Sequence, residues 1–269
     1  MSEETAVYIS ADMEGVAAVV DAKEVKKGNS EYDKTCELMT EEVNAAVEGS
    51  LEAGADKIIV KDAHATARNI IPDKLHSEAE LIRGWSGRPG GMIDGLNEEF
   101  DLAVFTGYHA GAGSDDAVLC HTHSGKFSKI KLNDIDMSEA ILNALHAGYF
   151  NVPVGFISGD EKACQQTKKC IEDIITTAVK YGDGESVRSL SPAKAREKIR
   201  QGVKKAVRKY NAFSPFTFSS PLNLVVDFEQ RKHAVEAGCY PGAERLGVKK
   251  VKFTGDNIEQ IMTFIHFVK

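Results

Sequence analysis

The chain has 269 residues, 42% hydrophobic and 27% charged, which is ordinary for a globular protein and long enough for one large domain or two modest ones. Its net charge of -7 and pI near 5.7 exclude the basic footprint of a nucleic-acid-binding protein. The opening Ser2-Glu3-Glu4 lacks the segments of a secretory signal, no apolar run reaches the roughly 20 residues of a bilayer span, and five scattered cysteines contain no Cys-x-x-Cys, so a cytoplasmic protein with no membrane partner is expected.

In chain order, residues 7–11 form a β-rich run, and residues 31–53 read as a helix. Leu38, Val43, Ala46, Val47 and Leu51 recur at helical spacing there, and Gly54 stops it. Strands are predicted at 57–60 and 102–106. The glycine-rich stretch 84–95 lacks the spacing of a dinucleotide fingerprint and reads as a flexible loop near the site. Asn133-Asp134 within the alternating run 130–137 predicts a hairpin or strand edge. Ser138 then caps a helix to Tyr149, followed by a strand at 152–158, a helix from Glu161 and a strand at 174–179. Ser191-Pro192 opens a helix to Tyr210, whose lysines and arginines read as a solvated face. After a Pro/Ser-rich loop at 213–221 come a strand at 222–228, a short helix near His233, a strand at 248–253 and a helix at 257–267.

This alternation predicts an α/β fold, a mainly parallel sheet flanked by helices, with a smaller second α+β region. The expected division is a metal-binding α/β domain at 1–212 and a C-terminal α/β segment at 213–269, able to pack as part of the same domain.

Three apolar runs lead into metal-competent side chains. The first ends at Asp12 with Glu14 two residues on; the second leads to Asp62 and His64; the third leads through Gly107 and Tyr108 to His109. Ligands of open α/β sheets bind outside the carboxyl ends of strands, so three strand ends can deliver Asp, Glu and His to one edge. Residues at i and i+2 of an extended chain share a side, as Asp12 and Glu14, Asp62 and His64, and His121 and His123 do. Imidazole suits zinc, and two carboxylates with two histidines fill one tetrahedral ion. Glu139, at the start of the capped helix, can supply the remainder of a two-metal site, although a carboxylate there also fits the positive helix end. Asp62 reads better as a cap of a turn or helix, one of His121 and His123 is expected to be ordinary, and His76, His146, His233 and His266 read as surface or core residues. Phosphate-loop, His-Glu-x-x-His and Gly-x-Ser-x-Gly motifs are absent.

Together these segments resemble the zinc-dependent D-aminopeptidases associated with bacterial dipeptide-transport operons. The likeness is carried by Ser10-Ala11-Asp12-Met13-Glu14-Gly15, Met39-Thr40-Glu41-Glu42, Asp62-Ala63-His64, Gly107-Tyr108-His109-Ala110, His121-Thr122-His123-Ser124, Asn133 through Glu139, Ser158-Gly159-Asp160 and residues 190–195, in order along most of the chain. The resemblance implies two zinc ions per chain held by Asp12, Glu14, His64, His109 and Glu139, with His121 as the catalytic histidine and His123 the weaker match for that role. It implies an α/β domain with a second small domain, and a homo-oligomer built as a ring-based decamer. Departures fall at Lys61, where an amide is expected, at Ala63, and at Gly111-Ala112-Gly113.

The implied activity is hydrolysis of the N-terminal peptide or amide bond of short peptides or amino-acid amides, with preference for D-residues and with Asp12 placed to bridge the metals. The expected pocket walls are residues 84–95 and 110–117. The rival readings are a dinuclear hydrolase of non-peptide amides or phosphodiesters, and a metal- or peptide-binding protein without catalysis.

Overall fold

A computed structural model describes residues 4–269 of the chain. The run AVYISA forms β1 (Ala6–Ala11), and every residue of it is buried, as a central strand covered on both faces requires. A short α1 (Ala22–Val25) precedes α2 (Tyr32–Leu51), β2 (Lys57–Asp62), β3 (Glu80–Ile82), β4 (Leu102–Tyr108), β5 (Phe127–Leu132) and β6 (Ile135–Asp136). Then come α3 (Glu139–Tyr149), β7 (Val154–Asp160), α4 (Glu161–Cys170), β8 (Ile175–Asp183), β9 (Ser186–Ser189) and α5 (Pro192–Val207). The chain finishes with β10 (Leu222–Phe228), α6 (Arg231–Ala237), β11 (Ala243–Arg245), β12 (Lys250–Gly255) and α7 (Ile258–Val268).

These strands make two sheets. The larger has the order β3-β2-β1-β4-β7-β8-β9, parallel throughout except for the edge strand β9. The smaller has the order β11-β12-β10-β5-β6 and is wholly antiparallel. The predicted class, a mainly parallel sheet with helices and a smaller second α+β region, is therefore the observed one. The second sheet joins two strands that precede the loop at 213–221 to three that follow it.

On one face of the large sheet, α2 and α5 cover Val7, Ile9, Val60 and Val104 through residues such as Met39, Val43, Ile199 and Val203. On the other face, Tyr8, Phe105 and Ile157 meet the alanines of α3, Ala140, Ala144 and Ala147. The opposite flank of α3 gives Ile141, Leu142 and Leu145 to the core of the small sheet, with α7. Residues Glu139 to Gly148 of α3 are all buried, so one helix is shared by both cores.

The observed strands run further than the sequence predicts. The second continues through Lys61-Asp62 and the third through Gly107-Tyr108, all of them buried. Hydrophobic periodicity cannot count a buried lysine or aspartate as strand. The short strands β3, β9 and β11 went unpredicted because three or four half-exposed residues carry too little pattern.

Candidate metal centre

Sheet register places the site. The strand β1 lies between β2 and β4, with Ala11 opposite both Asp62 and Thr106. The residues just beyond those strand ends, Asp12, Glu14, His64 and His109, are thereby brought together. Two glycines allow the close approach. Gly107 has φ +68°, and a Cβ on Gly15 would lie 1.8 Å from the Tyr108 carbonyl oxygen. Glu139 arrives from the first turn of α3, whose start is fixed by Ser138 accepting from the Ile141 N–H.

The carboxylate of Asp12 stands between two imidazoles. Its Oδ1 is 3.4 Å from His64 Nδ1 and its Oδ2 is 3.4 Å from His109 Nε2. Glu14 Oε2 is 2.8 Å from His64 Nδ1, and Glu139 Oε2 is 3.5 Å from His109 Nε2. His121 stacks on His109 with ring centroids 4.2 Å apart, and its Nε2 is 3.5 Å from Glu139 Oε1. Asp12, Glu14 and His109 form one group with mutual spacing fit for a metal ion, and His109, His121 and Glu139 form another. Asp12, Glu14, His64, His109 and Glu139 are buried, whereas the His121 side chain is 31% exposed.

The outer hydrogen bonds fix the tautomers. His64 Nε2 donates to the Val25 carbonyl at 2.8 Å, His109 Nδ1 to Ala110 at 2.9 Å and His121 Nδ1 to Leu119 at 2.9 Å. A carbonyl only accepts, so these nitrogens carry the hydrogens, and in the neutral rings the nitrogens facing the carboxylates hold lone pairs. Among the described residues, buried Asp12 Oδ2 and His109 Nε2 have no hydrogen-bond partner. Lone pairs converging on carboxylate oxygens at a buried site call for a cation between them, and this donor set suits zinc.

Protons occupy that role in the metal-free chain. Burial and the neighbouring Glu14 push Asp12 up to about 7, against His64. Burial alone would raise Glu14 and Glu139, but His64 holds the first well below the usual carboxylate range and His109 does the same for the second. Burial would lower both histidines; Glu14 and Asp12 instead carry His64 up to about 11, and Glu139 carries His109 well above its ordinary value. Metal binding at such a site releases these protons.

The other residues singled out in the sequence fall into supporting places. Asp62 accepts from the Asn69 side chain at 2.7 Å and from the Asn69 and Ile70 backbone N–H groups, the structural role read for it. His123 donates its backbone N–H to Glu139 Oε1 at 2.6 Å, and burial pushes its ring down to about 4. Lys180, invisible to sequence reasoning, is fully buried and donates to the carbonyls of Glu14 and Val19, which fastens the loop after β1.

The site opens on a cleft of about 500 Å³, into which Trp85, Met92, His266 and Lys269 also project. The wall expected at 84–95 is present. The one expected at 110–117 is not; residues 111–115 line a separate cavity of about 680 Å³ beside β5 and α4. His266, read as an ordinary residue, belongs to the cleft because α7 folds back from the far end of the chain, and no local signal marks it.

Comparison with known proteins follows the same lines. The sequence profile of the peptidase M55 family, described as D-aminopeptidase, matches residues 6–267. A D-aminopeptidase of Bacillus subtilis (strain 168) is 34% identical over 249 residues, 92% of this chain and 90% of that protein. The structure of the Zn-dependent D-aminopeptidase DppA from Bacillus subtilis, described as a self-compartmentalizing protease, superposes with a TM-score of 0.94 at 30% identity, covering 98% of this chain and 96% of that one.

Proposed function

The chain belongs to the peptidase M55 family of D-aminopeptidases, and from that premise we propose that it removes a free N-terminal D-residue from short peptides or amino-acid amides, using two zinc ions held by Asp12, Glu14, His64, His109 and Glu139. The observation that supports this most directly is Asp12, whose two oxygens face different histidines at 3.4 Å each. A carboxylate so placed could hold metal together with the neighbouring Glu14, His64, His109 and Glu139. Bound zinc supplies a water acidified toward neutral pH and polarises the scissile carbonyl.

The chain's own groups then have separate tasks. Asp12, Glu14 and His64 would hold zinc at the end of the cleft that receives the substrate's free amino group. His121 is held by Leu119 through Nδ1, which leaves Nε2 to pass a proton to the leaving amine or to steady the oxyanion. Its exposure to the cleft, unlike that of His109, suits a group that meets substrate.

The same proposal includes a cytoplasmic location and a homo-oligomer in the form of a ring-based decamer. The five free cysteines and the description of the relative as self-compartmentalizing support it, and among the described residues no helix is long and apolar enough to cross a membrane. The test is paired hydrolysis of D-Ala-D-Ala and L-Ala-L-Ala by the zinc-loaded protein, with elemental analysis of zinc per chain. Turnover of the D-peptide with close to two zinc per chain is expected. Faster turnover of the L-peptide rejects the stereochemistry, and inactivity on both with no zinc retained rejects the whole reading.

A further inference from the structure

The chain's single tryptophan is 43% exposed and lines the metal cleft. A large apolar side chain left open to water beside a reaction centre is where a ligand's apolar part would be covered. Trp85 is also firmly held. Its Nε1 donates to the Ala65 carbonyl at 2.8 Å, and the ammonium of Lys61 lies 4.5 Å from its ring centroid. Lys61 is fully buried and donates to the Gly84 carbonyl at 2.6 Å. On either side, the Gly84 N–H donates to Ala67 at 2.7 Å, and Ser86 donates through Oγ to Asp94 at 2.9 Å. A lysine deprived of water at the end of β2 is a costly residue, and its two contacts both act on the segment that carries the indole. Lys61 is also where the sequence departs from the family it resembles.

The anchoring fixes which part of a substrate meets this wall. Ala65 follows His64, so the indole stands at the His64 end of the site, whereas His121 stacks on His109 beside Glu139. If His121 serves the leaving amine, as in the function proposed above on which this inference rests, the His64 end receives the residue bearing the free amino group. We propose that Trp85 is a specificity-determining residue, an apolar wall that favours a bulky apolar side chain on the N-terminal residue, and that Lys61 is the positioning residue that holds it.

The measurement is kcat/KM for D-phenylalaninamide and D-alaninamide. The parent enzyme should prefer the first by about tenfold or more, the scale of a filled apolar pocket, and Trp85→Ala should remove most of that ratio through KM. Lys61→Met should lower the ratio in the same direction and shift the tryptophan emission, while Lys61→Arg, which keeps a cation over the ring, restores both. Because Trp85 is the only tryptophan, its emission is a second readout that needs no turnover: D-phenylalanine added to the protein should shift it, and D-alanine should shift it less. An unchanged ratio in an active Trp85→Ala enzyme overturns the inference, as does emission that ignores D-phenylalanine. Should neither amide be hydrolysed, the proposed activity fails and the emission titration alone decides: a shift with D-phenylalanine supports the wall, and no shift removes it.

Discussion

Replacing Asp62 with asparagine tests how His64 is held at the proposed zinc site. Asp62 Oδ1 accepts from the Asn69 side-chain amide, and Oδ2 accepts from the backbone N–H groups of Asn69 and Ile70. Asn69 in turn donates to the His64 carbonyl at 2.6 Å and accepts from the Tyr32 hydroxyl at 2.6 Å. Asparagine keeps the shape but has one acceptor oxygen, so either the backbone pair or the Asn69 amide faces an NH2 group instead. Losing one hydrogen bond to a buried charge and weakening two others costs about 2–4 kcal/mol, because hydrogen bonds to charged groups contribute about 1.5–3 kcal/mol each. Unfolding entropy near 2.1 cal/mol/K per residue makes this a fall of about 4–7 °C in Tm for a chain of this length. The loop that carries His64 loosens with it, and zinc affinity should drop by about 10–100-fold, the usual effect of disturbing an outer hydrogen bond on a ligand histidine. Thermal unfolding of the zinc-free protein by circular dichroism reads the first effect, and competition with a zinc-binding dye reads the second. A variant whose Tm and zinc affinity both match the parent's would show that the network does not hold His64.

Three further outcomes are expected. His121→Ala should retain zinc and lose about 10²–10⁴-fold in kcat, whereas His109→Ala should lose zinc; metal analysis beside kinetics reads both, and the reverse pattern would mean that the two roles are exchanged. Burial raises the Glu42 carboxyl from 4.5 to about 7, against the Ala17 N–H that favours its anion. A raised value in the folded state is stability present in full below the unfolded value and lost as pH climbs through about 7. The parent Tm should therefore decline between pH 5 and 8, and Glu42→Gln should flatten that decline; equal slopes would dismiss the assignment. Light scattering should give a mass many times the 29.3 kDa of one chain, and a monomer would remove the ring assembly.

How far the site could be read from the sequence depended on how each residue reaches it. Asp12, His64 and His109 follow buried strands, so apolar runs pointed at them, and the rule for carboxyl ends of parallel strands brought them to one edge. The rule cannot supply adjacency, which follows from β1 lying between β2 and β4. Glu139 carries no local mark beyond its helix start; only the shared helix α3, packed by both cores, sets it opposite His109. Lys180 escapes the sequence for the opposite reason, and Lys61 shows there only as a departure from the family pattern, not as a buried cation. Lysine is expected in water, and both are fully buried with their ammonium groups on backbone carbonyls beside the site.

Those two lysines also bear on why the loops keep their shape around so much negative charge. Asp12, Glu14 and Glu139 are three buried carboxylates, and in the metal-free chain their repulsion is met by the imidazoles of His64 and His109. Among the described residues no lysine lies within salt-bridge reach of these oxygens; Lys269, which lines the cleft, acts on Glu139 only at longer range. Lys180 binds the Glu14 carbonyl, not its side chain, and Lys61 points away to Gly84 and Trp85. The backbone is tied down by cations that leave the carboxylate oxygens free, while the imidazoles that face them have their other nitrogens committed to carbonyls. A site meant only to be stable would pair its acids directly with those lysines. Keeping them one layer back holds the position between the carboxylates for a cation that comes from outside the chain.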